Sequence, residues 1–180
     1  MSKKSFLGLK SSALLVSLLL VGPAMAGWAS RGERSVSFKA VGPGGLGIEG
    51  KGNDVTVKES GDVVVVTVGL NSLKTGIDLR DKHMKEKYLE TPKYPQAVFS
   101  VDKSKIKFPG EADVDGKLSL HGTTKTVKVH YSAKGTDKDG QVLGSAHVNM
   151  KDFNIEVPSY LGVTVKPDVT VTLNFGVENK

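Results

Sequence analysis

The stretch Val55-Thr56-Val57-Lys58-Glu59-Ser60-Gly61-Asp62-Val63-Val64-Val65-Val66-Thr67-Val68 decides how the rest of the chain is read. Apolar and polar residues alternate from Val55 to Lys58, the pattern of a strand with one buried face. Ser60-Gly61 interrupts the run with turn chemistry, and Val64, Val66 and Val68 resume it. A two-residue loop at Ser60-Gly61 predicts Val57 opposite Val64 and Val55 opposite Val66, which gathers the valines on one face of a hairpin.

The same test extends in both directions. Val36, Phe38 and Ala40 alternate with polar residues until Gly42-Pro43-Gly44-Gly45 breaks the run. Ala97, Phe99 and Val101 form another strand, and Val169, Val171, Leu173 and Phe175 the last. A turn at Thr123-Thr124 predicts Leu120 opposite Val127 and Leu118 opposite Val129. A loop at Asp139-Gly140 predicts Tyr131 opposite Val148 and Val129 opposite Met150. The total is about eight or nine short strands, most with one apolar face, and such a sheet must close on itself or fold into a sandwich. Sequential hairpins favour an all-β, antiparallel up-and-down barrel. The longer segments at Gly42–Gly45 and Ile155–Pro167 keep a sandwich open.

One segment leaves the period of two. Ile77, Arg80-Asp81, Met84 and Tyr88 recur at helical spacing, with Asp78 as the expected N-cap and Thr91-Pro92 as the stop. A helix of about two or three turns is expected between the fourth and fifth strands, as a plug or lid.

Residues 1–26 combine Lys3, Lys4 and Lys10, an apolar run from Leu14 to Val21 and the Ala24-Met25-Ala26 site, the three parts of a secretory signal peptide. Cleavage after Ala26 predicts an exported, periplasmic chain with a short tail at 27–33 and one barrel domain over 34–180. The run is shorter than the ~20 residues a membrane-spanning helix needs. The net charge of +6 loses three lysines with the leader, leaving 22 basic against 19 acidic residues, or +3. That excess forms no basic stripe, so nucleic acid is not an expected partner. With no cysteine among the 180 residues, disulfides, thiolate metal sites and a cysteine nucleophile are excluded.

Four stretches, in order, resemble the YceI-like family of polyisoprenoid-binding proteins. They are Thr75-Gly76-x-x-x-Arg80-Asp81-x-His83-Met84 with Tyr88-Leu89; Lys93-Tyr94-Pro95-Gln96-Ala97-x-Phe99; Leu118-x-Leu120-x-Gly122-x-Thr124-Lys125-x-Val127; and Lys151-Asp152-Phe153-Asn154-Ile155. The likeness runs from about Arg34 to Val177. It implies a lipocalin-like barrel with a helix near one end, and an exported, non-enzymatic protein that holds a long isoprenoid, such as a quinone tail, in its interior. Many members carry a V-x-H strand near the start of the domain; Phe38–Gly50 has no histidine and is glycine-rich.

On this reading the ligand surface is the inward face of the strands. It comprises Phe38, Val55, Val57, Val64, Val66, Val68, Phe99, Leu118, Leu120, Val127, Val129, Tyr131, Val148, Met150, Leu173 and Phe175. Met84, Tyr88 and Leu89 of the helical segment close one end, and Arg80 or His83 meets a polar headgroup. The alternative is a ligand-free structural or stress-response module whose interior is filled by these same side chains. Arg80-Asp81 then becomes an exposed ion pair worth less than about 1 kcal/mol. No cofactor is expected apart from the bound lipid.

Enzymatic chemistry finds little to run on. Ser100-x-x-Lys103, Ser104-x-x-Lys107 and Lys74-Thr75-Gly76 imitate parts of the acyl-serine set, but S-D-N is missing and the order is reversed. His121 and His130, on the outward face of one predicted hairpin, with His147 and His83 elsewhere, lack metal-ligand spacing, so no metal is expected.

Overall fold

The computed structural model describes residues 27–136, 138–160 and 163–179; the expected leader at 1–26 lies outside the described residues. Each alternating run becomes a strand. They are β1 (Trp28–Val41), β2 (Gly47–Gly52), β3 (Val55–Ser60), β4 (Val63–Gly69), β5 (Gln96–Asp102), β6 (Gly110–Leu120), β7 (Thr123–Gly135), β8 (Gly140–Asn149), the small pair β9 (Ser159–Tyr160) and β10 (Val163–Thr164), and β11 (Asp168–Asn179).

Neighbouring strands pair antiparallel in the order β11-β8-β7-β6-β5-β4-β3-β1-β2, and β11 also pairs with β1, which closes the sheet. β2 and β3 both lie against β1, through Val36–Gly52 and Ala29–Lys58. They act as two halves of one strand broken at Asn53-Asp54, so the closed ring has eight members. The β1–β11 ladder, from Trp28–Asn179 to Lys39–Thr170, excludes the sandwich. Closure removes the exposed edges that an open sheet would present.

The hairpins keep the predicted faces but not the predicted partners. Val57 lies opposite Val66 and Val55 opposite Val68, because the loop is Gly61-Asp62 rather than Ser60-Gly61. Gly61 takes φ +60 at the first loop position. The β6–β7 loop is His121-Gly122, not Thr123-Thr124. It sets Leu120 against Thr123, Leu118 against Lys125 and Val129 against Val114. Both loop residues have positive φ, 50 and 73, as a type I′ turn requires. Asp139-Gly140 is not the β7–β8 loop either: Gly135 pairs with Gly140, placing Tyr131 opposite Gly144 and Val129 opposite Ala146. Each shift is an even number of residues, so the inward set is preserved. Residues 27–33, read from the sequence as a tail, carry the first part of β1, with a bulge between Arg31 and Arg34.

The up-and-down course gives the barrel two unlike ends. The turn end gathers the start of β1, the Gly61-Asp62 loop, residues 103–109 and the end of β11. The helix end gathers residues 42–46, 70–95, the His121-Gly122 turn, 150–160 and 163–167. At the helix end, α1 (Asp78–His83) continues into a wider π turn over Met84–Tyr88. The residue before the helix is Ile77, not Asp78, and its side chain is 53% exposed rather than turned inward.

Candidate functional site: the inner face of the barrel

The turn end is sealed by large side chains and one ion pair. Trp28 packs edge-on against Phe108, with ring centroids 5.6 Å apart. Beside them the Lys103 ammonium donates to both carboxylate oxygens of Glu59, at 2.7 and 2.8 Å. The Trp28 amide donates to the same carboxylate at 3.1 Å. These contacts, led by the Lys103 hydrogen bond, hold the Glu59 carboxyl below its ordinary pKa. Tyr131 points inward but its hydroxyl is engaged by the protein, accepting from the Lys107 amide at 2.7 Å. Around this plug Val36, Val57, Val64, Val101, Val114, Ala133, Phe175 and Val177 are all buried.

The helix end differs. One wall, formed by Val55, Val68, Leu70 and Leu73, is fully buried. The facing strip along β5, β6, β7 and β11 is only half-buried, although register turns it inward. It carries Phe99, Leu118, Leu120, Val127, Val129, Val171 and Leu173. Met84, Tyr88 and Leu89 of the helical segment and Phe38 of β1 border this strip and are also half-buried. Two glycines shape the wall. A side chain at Gly50 or Gly116 would collide with the rings of Phe38 and Phe99, so each ring lies flat where the opposite strand has no Cβ. The glycine-rich return strand therefore lets Phe38 lie flat against β2.

All nineteen apolar residues expected to line a lumen fall into two adjoining clusters that share Leu89, Leu120 and Val171. Val55, Val57, Val64, Val66, Val68, Tyr131, Val148 and Phe175 are buried members, and the others are half-buried. The polar candidates are placed differently. Arg80 donates from Nε to Thr75 Oγ1 at 2.8 Å and from Nη2 to the Thr75 carbonyl at 3.1 Å. Asp81 accepts from the Thr75 amide and hydroxyl at 2.7 and 2.5 Å, which lowers its pKa. In place of the exposed Arg80–Asp81 pair of the alternative reading, both side chains anchor on Thr75 and fix the start of α1. His83 is exposed.

His121 is the clearest departure from the sequence reading. It is not on a solvated face. Its side chain is 10% exposed, with Nε2 2.7 Å from Glu90 and Nδ1 3.2 Å from the Phe153 carbonyl. The Tyr94 ring stacks beside it at 4.6 Å. This knot ties the end of the helical segment, the β6–β7 turn and the turn at 150–153 together. His130 faces Asp113 and Glu111 on the outer wall, and His147 meets Thr170. Among the described residues no three His, Cys, Asp or Glu side chains converge as metal ligands. Lys103 is held by Glu59 at the turn end while Lys74 lies at the helix end, so the acyl-serine elements are not brought together.

Sequence reasoning missed Phe153 and Ile155, which are 1% and 5% exposed and anchor the second cluster. Both lie in a quoted motif, and their i, i+2 apolar spacing was the available signal. It also missed Lys125. In register opposite Leu118 and two residues before Val127, this exposed lysine sits on the inner face at the rim of the helix end.

A closed antiparallel barrel, plugged at one end and lined at the other by half-buried aliphatic side chains under a short helix, places the chain in the class of small eight-stranded antiparallel β-barrels. The YceI-like domain model matches residues 33–177, and the chain belongs to that family. It is 36% identical to a UPF0312 protein of Pseudomonas syringae pv. tomato, over 61% of this chain and 59% of that protein. It is 37% identical to Protein YceI of Salmonella arizonae, over 53% of each chain. The matched stretch therefore spans little more than half the length of these relatives. Two solved structures share the fold at low sequence identity. A polyisoprenoid binding domain from Saccharophagus degradans, implicated in plant cell wall breakdown, has a TM-score of 0.69 at 15% identity, covering 86% of this chain and 99% of that one. Burkholderia cenocepacia BcnA has a TM-score of 0.64 at 18% identity, covering 79% of this chain and 95% of that one.

Proposed function

We propose that this chain is an exported, periplasmic carrier that sequesters a polyisoprenoid or another long amphipathic lipid in the helix-end half of its barrel. One observation carries the reading: apolar side chains that register turns inward along β5, β6, β7 and β11 are only half-buried, although a self-filled barrel would bury them. The likeness to a polyisoprenoid binding domain supports the chemical class of the cargo.

Binding rests on burial. Each CH₂ removed from water contributes about 0.8 kcal/mol, so one five-carbon isoprene unit contributes about 3–4 kcal/mol. A few units offset the cost of association without a charged anchor. Met84, Tyr88 and Leu89 cover the bound chain. At the rim, Lys125, His83 and the N–H groups of Arg80 not used by Thr75 meet the headgroup. The turn-end plug limits how deep the chain enters. The mechanism requires no catalytic residue.

The test is mass spectrometry of an organic extract of protein recovered from its host without detergent, for wild type and Leu120→Trp. A stoichiometric isoprenoid lipid in the wild type, lost in the variant while the fold persists, is the expected result. An empty wild-type extract, or full retention by Leu120→Trp, overturns the lumen reading in favour of a ligand-free module.

A further inference from the structure

Among the described residues, four large apolar side chains are markedly exposed: Leu46, Ile77, Leu79 and Leu143. Leu143 lies alone on the outer wall of β8, between Ser132 and Asn174 on the adjacent strands. The other three share the helix end. Lys51 and Lys74 exchange backbone hydrogen bonds of 2.8 Å in an isolated antiparallel bridge. Leu46 precedes this bridge on one strand, while Ile77 and Leu79 follow it on the other. Antiparallel pairing carries all three out toward the same rim. They are 63%, 53% and 64% exposed, and α1 itself contains no buried residue.

Cations are interleaved with these prongs. Lys51, Lys74 and Lys82 are exposed around them, and Lys125 adds a charge across the mouth. The nearby acids are partly spent within the protein, Glu49 on Lys39 and Asp81 on Thr75; Asp78 and Glu86 remain exposed. Apolar prongs set among lysines complement the interface of an anionic bilayer, with side chains entering the headgroup–acyl boundary and ammonium groups meeting phosphates. A monomer surface rarely gathers its exposed large apolar residues on one rim without a partner.

We propose that the helix end docks on the surface of an anionic lipid bilayer through Leu46, Ile77 and Leu79, with Lys74 and Lys82 contacting the headgroups. This deepens the carrier reading on which it rests: docking there presents the mouth of the barrel, and the Met84–Leu89 cover, to the membrane that supplies or receives the lipid.

The experiment is co-sedimentation of protein exported by its host, its N-terminus fixed by mass spectrometry, with vesicles of phosphatidylglycerol and phosphatidylcholine or of phosphatidylcholine alone. Wild type is expected to favour the anionic vesicles and to lose that preference at high salt. The triple variant Leu46→Ser/Ile77→Ser/Leu79→Ser is expected to bind about tenfold more weakly. Leu143→Ser, which removes an equally exposed leucine from the outer wall, is expected to bind like wild type. All are surface positions, and thermal unfolding verifies that each variant keeps its fold. Equal binding by wild type and the triple variant overturns the proposal, as does an equal loss in Leu143→Ser. A vesicle-independent dimer abolished by the triple substitution overturns it too, by showing that a second copy covers the rim. Because extraction reads lipid retention separately, a protein that carries lipid but ignores vesicles sinks the docking surface alone, whereas an empty barrel sinks the carrier reading.

Discussion

The two ends of this barrel are built from the same alternating pattern and come out differently. At the turn end Trp28, Phe108, Tyr131 and Phe175 supply aromatic volume, and the Glu59–Lys103 pair ties the plug to Trp28. At the helix end the inward positions are mostly Val and Leu, only half-buried, under a segment anchored by polar contacts. Alternation decides which way a side chain points. Residue volume on the facing strand decides whether the space closes.

The comparison breaks most directly with one residue type removed from each end. Phe175→Ala empties a buried position and is expected to destabilise the fold by about 3–5 kcal/mol. Phe99→Ala acts at a half-buried position and is expected to reach less than half of that. Urea unfolding of both variants reads the difference. Equal losses would mean that the helix end is packed as tightly as the turn end, and the carrier argument would lose its footing.

Insertion is the mirror test. Val66 is 8% exposed and Leu120 half-buried. Val66→Trp overfills a packed wall and is expected to lower stability by about 1–3 kcal/mol. Leu120→Trp acts at a position that is only half-buried and is expected to change stability by less than about 1 kcal/mol. Sequence alone treats the two positions as equivalent, since both are inward aliphatics in alternating strands.

That equivalence marks how far the sequence is legible. The strands, their hairpin order and the inward set follow from alternation and turn residues, with registers shifted only by even numbers, whereas closure rather than a sandwich is decided by the long-range β1–β11 ladder. The loops were misplaced because turn type depends on which residue accepts a positive φ. At the β6–β7 turn that residue is His121, held there by Glu90 and the Phe153 carbonyl, partners about thirty residues away in sequence. Contacts of that separation leave no local pattern. The same holds for Lys103 on Glu59 and for the exposure of Ile77, which helical spacing alone assigns to the inward face.

Acid titration sharpens the contrast at the plug. Glu59 binds its proton less readily in the folded chain than in the unfolded one, chiefly because Lys103 donates to it. The resulting stabilisation is complete above the unfolded carboxylate value of 4.5 and is lost as pH falls through the lower folded value. Wild type is therefore expected to lose more melting temperature over that acid window than Glu59→Gln does. Parallel curves for the two proteins would remove the ion pair from the account of the turn end.

The smallest effect is the most local. Glu90 is partly exposed, so its bond to His121 is worth about 1 kcal/mol, and removing it should leave global unfolding nearly unchanged. The knot's geometric role is larger than its energy. It joins the chain just after Met84–Leu89 to the β6–β7 turn and to Phe153, whereas the start of the segment is held separately through Thr75. Glu90→Gln should therefore speed amide exchange over residues 84–94 severalfold while leaving β1, β4 and β11 protected. Uniform acceleration across the barrel would show instead that the helical segment opens only when the whole fold does. The two ends would then form a single cooperative unit, and a covered mouth that opens independently would have no basis.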